Sequence, residues 1–189
     1  MELFKNIRLN IGRRTLKKRV AATGRKFNYS SFNHARKIVI IWDATNTEEF
    51  SYLTKFHQKM LERKVTVEIL GYYEGKNLPD QLTAVRYLSL IRRKELNFFY
   101  IPVSPEAIDF VKRDFDILID INFRKIFPLT YISFLSRSGI KVGLFDSKPG
   151  DTPFDLMIEL KGQVSVENFL IQSVQYLEMI NNEKLITTN

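Results

Sequence analysis

The sequence predicts an α/β domain, a three-layer arrangement with a mostly parallel sheet, preceded by a basic helical extension. Three observations predict it. Unbroken apolar runs at Ile38–Trp42 and within Asp116–Asn122 read as strands covered on both faces, the mark of a parallel sheet. Each run gives way to a helical pattern and then to another run, so strand, helix and strand recur as βαβ units. The charge is lopsided as well. Residues 1–37 hold 11 Lys and Arg against the single acid Glu2, a net +10, whereas the other 152 residues net −2.

Taken in order, residues 2–23 form a helix that Gly24 ends. Leu3, Phe4, Ile7 and Ile11 share one face, and Leu9, Leu16 and Val20 lie on roughly the opposite one, so the apolar stripe changes phase near Gly12. In the plainest packing the first stripe docks on the domain. Residues 25–37 are a linker in which bases interleave with Phe27, Tyr29 and Phe32. The first strand, Ile38–Trp42, ends at Asp43. Thr45 and Glu48 fit a capping box, opening a helix to about Lys64 with Phe50, Leu53, Met60 and Leu61 buried and His57 at the edge. Val65–Leu70 is the second strand. Between 82 and 101 the pattern is least regular, with short strands at Ala84–Leu88 and Asn97–Ile101. Ser104 and Pro105 open a helix through Val111. After the run ending at Asn122, Pro128 starts and Gly139 stops a helix over 128–138. Ile140–Phe145 and Phe154–Leu160 are strands, and Ser165 caps a terminal helix that buries Val166, Phe169, Leu170, Val174 and Leu177. The division expected is extension and linker over 1–37, a Rossmann-like domain over 38–181 and a polar tail over 182–189.

Composition removes several function classes. With 44% apolar residues and 15 Phe the chain can bury a core, and no run is long and apolar enough to span a bilayer. The absence of Cys excludes disulfides and thiolate chemistry and fits a cytoplasmic location. The eight glycines form neither G-x-G-x-x-G nor a P-loop, so no nucleotide cofactor of those kinds is expected. His34 and His57 make no metal-spaced pair, and no catalytic residue or metal ligand is assigned.

In an open parallel sheet, ligands sit beyond the carboxyl ends of the strands. That places Asp43, Asn46, Tyr72, Ser104, Asp120, Asn122 and Asp146 at the candidate edge. Asp43 and Asp120, at the ends of neighbouring strands, could hold a hard cation with a phosphate. They are better placed to form turns and cap helices.

The pattern Asp116-Ile-Leu-Ile-Asp120, Phe127-Pro-Leu-Thr-Tyr131, Gly139-Ile-Lys-Val-Gly143, behind a basic start and the Ile38–Asp43 strand, resembles a bacterial family that carries only a domain of unknown function. That resemblance implies no activity and no site residues. The strand, helix and strand of residues 116–143 also resemble part of the acceptor-side Rossmann domain of heptosyltransferase-type glycosyltransferases. The first strand, ending Ile41-Trp-Asp43, is similar to that of the metal-dependent PIN-type ribonucleases, whose first strand also ends in Asp.

The expectation drawn from the charge is a non-enzymatic RNA-binding protein associated with the ribosome, through ribosomal RNA or ribosomal proteins. The RNA-facing set is Arg8, Arg13, Arg14, Lys17, Lys18, Arg19, Arg25, Lys26, Phe27, Tyr29, Arg36 and Lys37, cations for phosphates and aromatics for stacking. The alternative is a small α/β enzyme or binding protein taking a phosphorylated or sugar ligand at Asp43, Asp120 and Asn122. An anionic membrane surface ranks third, because the phase change at Gly12 breaks the continuous apolar face that an interfacial helix needs.

Overall fold

The structure, a computed structural model, describes residues 2–28, 32–147, 152–160 and 164–186, with side chains described as far as residue 180. Six strands form one sheet: β1 (Lys37–Asp43), β2 (Thr66–Tyr73), β3 (Leu88–Arg92), β4 (Ile117–Asp120), β5 (Ile140–Leu144) and β6 (Leu156–Ile158). All neighbours are parallel, in the order β3-β2-β1-β4-β5-β6. The helices are α1 (Glu2–Ala22), α2 (Phe50–Glu62), α3 (Pro105–Phe110), α4 (Phe127–Leu135) and α5 (Val166–Ile186). This is a Rossmann-like α/β fold.

The continuous apolar runs have a direct cause. Ile38, Ile40 and Trp42 of β1 pack under α2 and α5, while Val39 and Ile41 pack under α3 and α4. A central strand with helices on both faces favours apolar residues at nearly every position. The chain order reverses between β1 and β4: α2 follows β1 onto one face, and α4 follows β4 onto the other. The loops leaving those two strands therefore diverge, and the carboxyl edge opens there.

α1 is the fold's addition to this plan. Leu16 and the half-buried Val20 join Ile101, Tyr131 and Leu135 in a cluster on the outer side of α4. Gly12 lies against Phe99 and Phe127, at the start of α4, and Arg19 donates to the Tyr131 hydroxyl one turn later. The two helices thus run in the same direction; Arg8 still packs on the turn at 98–100, and the six residues before it extend past that turn, roughly 9 Å of helix. It is the second apolar stripe that docks on the domain, not the first.

Several local expectations are corrected. Thr45 and Glu48 form no capping box; Thr45 Oγ1 accepts from Glu74 N at 3.3 Å, and a 3-10 turn at Thr47–Glu49 leads into α2. Leu61 is 61% exposed, and Phe56 takes its place in the stripe. The strand near 84–88 lies instead at Leu88–Arg92. Residues 97–101 make a turn, because Asn97 Oδ1 accepts from the backbone N–H groups of Phe99 and Ile101. α4 stops at Leu135; Gly139 instead precedes β5, where a Cβ would collide with Asn28 O. α5 continues through Ile186, beyond residue 181.

Candidate functional site

The register of β1 on β4 sets Ile41 beside Asp120, so Asp43 and Asp120 end adjacent strands as expected. Both carboxylates fold their own loops. Asp43 Oδ1 accepts from Thr45 N at 3.2 Å, and Asp120 Oδ1 accepts from Asn122 N at 3.1 Å. Each is an Asx turn at the point where a strand must hand over to a loop. The second oxygens find partners further away. Asp43 Oδ2 accepts from Arg124 Nε at 2.9 Å, with Nη2 closing the same ion pair, and Asp120 Oδ2 accepts from Ser133 Oγ at 2.7 Å. Among the described residues no cluster of three or more metal-capable side chains occurs. The turn reading of these two acids stands.

Asp120 is buried, which raises its pKa; the hydrogen bonds from Ser133 and Asn122 oppose that shift. Asn122 spans the switch point, since its Nδ2 donates to Ile41 O at 3.1 Å and to Asp120 Oδ1 at 2.6 Å. Its Oδ1 is buried and accepts nothing among the described residues. An unfilled buried acceptor costs about 1–3 kcal/mol unless a water or ligand donor reaches it.

A cavity of about 410 Å³ adjoins this floor, between the loops after β4 and β5. Arg124, Lys125, the amino end of α4 at Leu129 and Thr130, and the rings of Phe145 and Phe154 line it. Arg124 and Lys125 are exposed and strap the loop on opposite sides, one to Asp43 and the other to Asp146. Sequence reading missed both cations. Two successive bases directly beyond a buried strand's terminal acid were the available signal.

The second candidate surface is α1. Of the cations assigned to RNA, three serve the fold. Arg8 donates to Phe98 O at 2.6 Å and stacks over Phe98 and Tyr100. Arg19 bonds Tyr131, and Arg25 donates to Ser138 O and Gly139 O while pairing with Asp155. Arg13, Arg14, Lys17 and Lys18 face solvent and form no ion pair among the described residues. Lys26, Phe27, Arg36 and Lys37 are exposed, and Tyr29 lies outside the described residues. On the outer face of the first half of α1, Leu3 is 70% exposed, Phe4 73%, Ile7 48% and Ile11 37%. At 100° per residue these four lie on the same meridian as Arg14 and Lys18.

Comparison with known proteins adds the following. No curated protein matches the chain. The structure is similar to that of E. coli heptosyltransferase WaaC with ADP, at 11% identity and a TM-score of 0.43, over 74% of this chain and 46% of that one. The chain thus corresponds to about half the length of that structure. Over residues 8–180, and so over most of its length, it matches the family of unknown function DUF6913, to which it belongs.

Proposed function

We propose that the protein is a peripheral membrane protein that lays the outer face of α1 on an anionic lipid surface. The observation that carries this is the exposed stripe Leu3, Phe4, Ile7 and Ile11, continued along the same face by the unpaired Arg14 and Lys18. The phase change at Gly12 that speaks against an interfacial helix has another cause: one stripe is committed to α4, and the other looks outward. Apolar side chains on the outer face gain by entering the headgroup boundary, and each Lys or Arg near an anionic leaflet contributes about 1 kcal/mol. No helix among the described residues is long and apolar enough to cross a membrane.

RNA is the second reading, and the exposed pair Lys26 and Phe27 in the segment after α1 is what favours it. It employs the same cations but leaves the four apolar side chains in water. The two readings separate in one experiment. The protein is sedimented with phosphatidylcholine vesicles with and without phosphatidylglycerol, and titrated in parallel with a structured RNA. The expected result is binding to the anionic vesicles that the double change Phe4→Ser, Ile7→Ser abolishes. RNA binding that the same change leaves intact, without vesicle binding, would replace this proposal by the second reading.

A further inference from the structure

We infer that the turn at 97–101 is a second point of contact with the anionic lipid surface: Phe98 enters the headgroup boundary and Arg8 holds a lipid phosphate. The inference rests on the attachment of α1 proposed above and names the rest of its footprint.

The turn is fixed, and its tip points outward. Asn97 Oδ1 accepts from the N–H groups of Phe99 and Ile101, and Tyr100 N donates to Asn97 O at 3.0 Å. A bridge between Leu96 and Pro102 closes the base. Tyr100 is held at φ 61, a conformation that a residue with a side chain adopts only where its surroundings impose it. Phe99 turns inward, onto the cluster of Leu16 and Tyr131, whereas Phe98 is 65% exposed. Transfer of that ring from water into the headgroup boundary is favourable.

The contact with Arg8 ties the turn to the stripe. On α1, Arg8 lies between Phe4 and Gly12, about 40° from each, so it marks the flank where the exposed stripe meets the body. Its Nε donates to Phe98 O at 2.6 Å, and its guanidinium carbon lies 4.1 Å from the Phe98 ring centroid and 4.5 Å from that of Tyr100. Stacking on the two rings sets the plane of the guanidinium. Arg8 forms no ion pair among the described residues, so Nη1 and Nη2 are left for an outside acceptor. A planar fork of N–H groups suits the oxygens of a phosphate. Lys5, exposed and likewise without an ion pair there, adds charge of the same sign. A lipid headgroup is matched in both parts, its phosphate by the fork and its apolar boundary by the ring.

The chain has no cysteine, so one introduced cysteine carries a polarity-sensitive fluorophore at a chosen site. Three labelled variants are compared on phosphatidylglycerol vesicles: Ile7→Cys on the stripe, Phe98→Cys on the turn, and Leu61→Cys, an exposed site of α2 across the sheet from α4. The first two labels are expected to brighten with vesicles and to be quenched by spin-labelled lipid, and the third to stay unchanged. Entry of the label at 7 while that at 98 stays in water overturns this inference and leaves the attachment of α1 standing. If neither enters, both fall. A rise at 98 without vesicles, from a second copy covering the turn, also overturns it. Phe98→Ser is expected to weaken vesicle binding about tenfold. Arg8→Lys keeps the charge but not the planar fork, and is expected to weaken it about fivefold. Melting temperatures measured alongside separate lost binding from lost fold. Unchanged binding by Arg8→Lys overturns the assignment of the phosphate to Arg8.

Discussion

Lys141 is a cation held in the interior of the fold. It lies on β5, almost fully buried, and its Nζ donates to Phe134 O at 3.0 Å, in the last turn of α4. A cation is favoured at a helix carboxyl end. Desolvation nevertheless pushes its pKa from 10.5 down to about 7; the Arg25 guanidinium acts in the same direction, and Asp155 opposes. The sign of the linkage follows. The folded state holds this proton less tightly than the unfolded chain, so the contribution is fully present above 10.5 and is lost as pH falls through about 7. Stability should therefore climb with pH across that window. Tyr72, pushed up to about 12 by burial, acts with the opposite sign once pH exceeds its ordinary value of 10, so measurement between about 7.5 and 9.5 isolates the lysine. The urea midpoint of the native protein is expected to rise over that interval, and that of Lys141→Met to stay flatter. Equal slopes in the two proteins would show that this lysine does not govern the dependence.

At the scale of the element, α1 decides how the basic extension is presented, and Gly12 decides how closely α1 approaches. A Cβ at Gly12 would meet Phe99 O, a backbone atom that cannot rotate away, and would come within 2.9 Å of Phe127 Cε1. Replacing a mid-helix glycine by alanine ordinarily gains about 1 kcal/mol of helix propensity. Here the clash should reverse the sign, so Gly12→Ala is expected to lower stability, and Gly12→Val to lower it by about 1–3 kcal/mol in denaturant unfolding. Ile7→Ser on the free half should stay within about 0.5 kcal/mol of the native protein. A stabilised Gly12→Ala would mean that α1 is not seated this tightly. The two apolar stripes of α1 were visible in the sequence, but which one docks was not, because the choice depends on the surface that α4 offers. β1 and β4 were legible for the opposite reason: burial on both faces writes itself as an unbroken apolar run, and β2 and β5 keep most of that pattern around Glu68 and Lys141. β3 is an edge strand with four of its five residues only partly buried, so it carries no such signature. Asp43 and Asp120 could be placed from the ends of their runs. Their engagement with Arg124 and Ser133 could not, since those pairs span 81 and 13 residues.

Across the whole molecule the charge and the apolar stripe divide the work of attachment between range and grip. Residues 1–37 carry a net +10 and the rest of the chain a net −2, so an anionic surface first encounters the extension. That attraction acts over a Debye length, about 10 Å at 0.1 M salt and about 3 Å at 1 M. Burial of Leu3, Phe4, Ile7 and Ile11 in lipid does not depend on screening, and strengthening salts do not weaken it. Vesicle binding should therefore fall as salt is raised and level off at a residual affinity. Removing the stripe with Phe4→Ser and Ile7→Ser should remove that residue and leave only a weak, fully screened component. An RNA complex has no such floor: neutralising four or five phosphates predicts a decline of roughly two decades between about 50 and 200 mM salt, continuing beyond. A vesicle-binding curve that falls to nothing at high salt would assign the attachment to the cations alone, and would leave the exposed stripe without a role at the lipid surface.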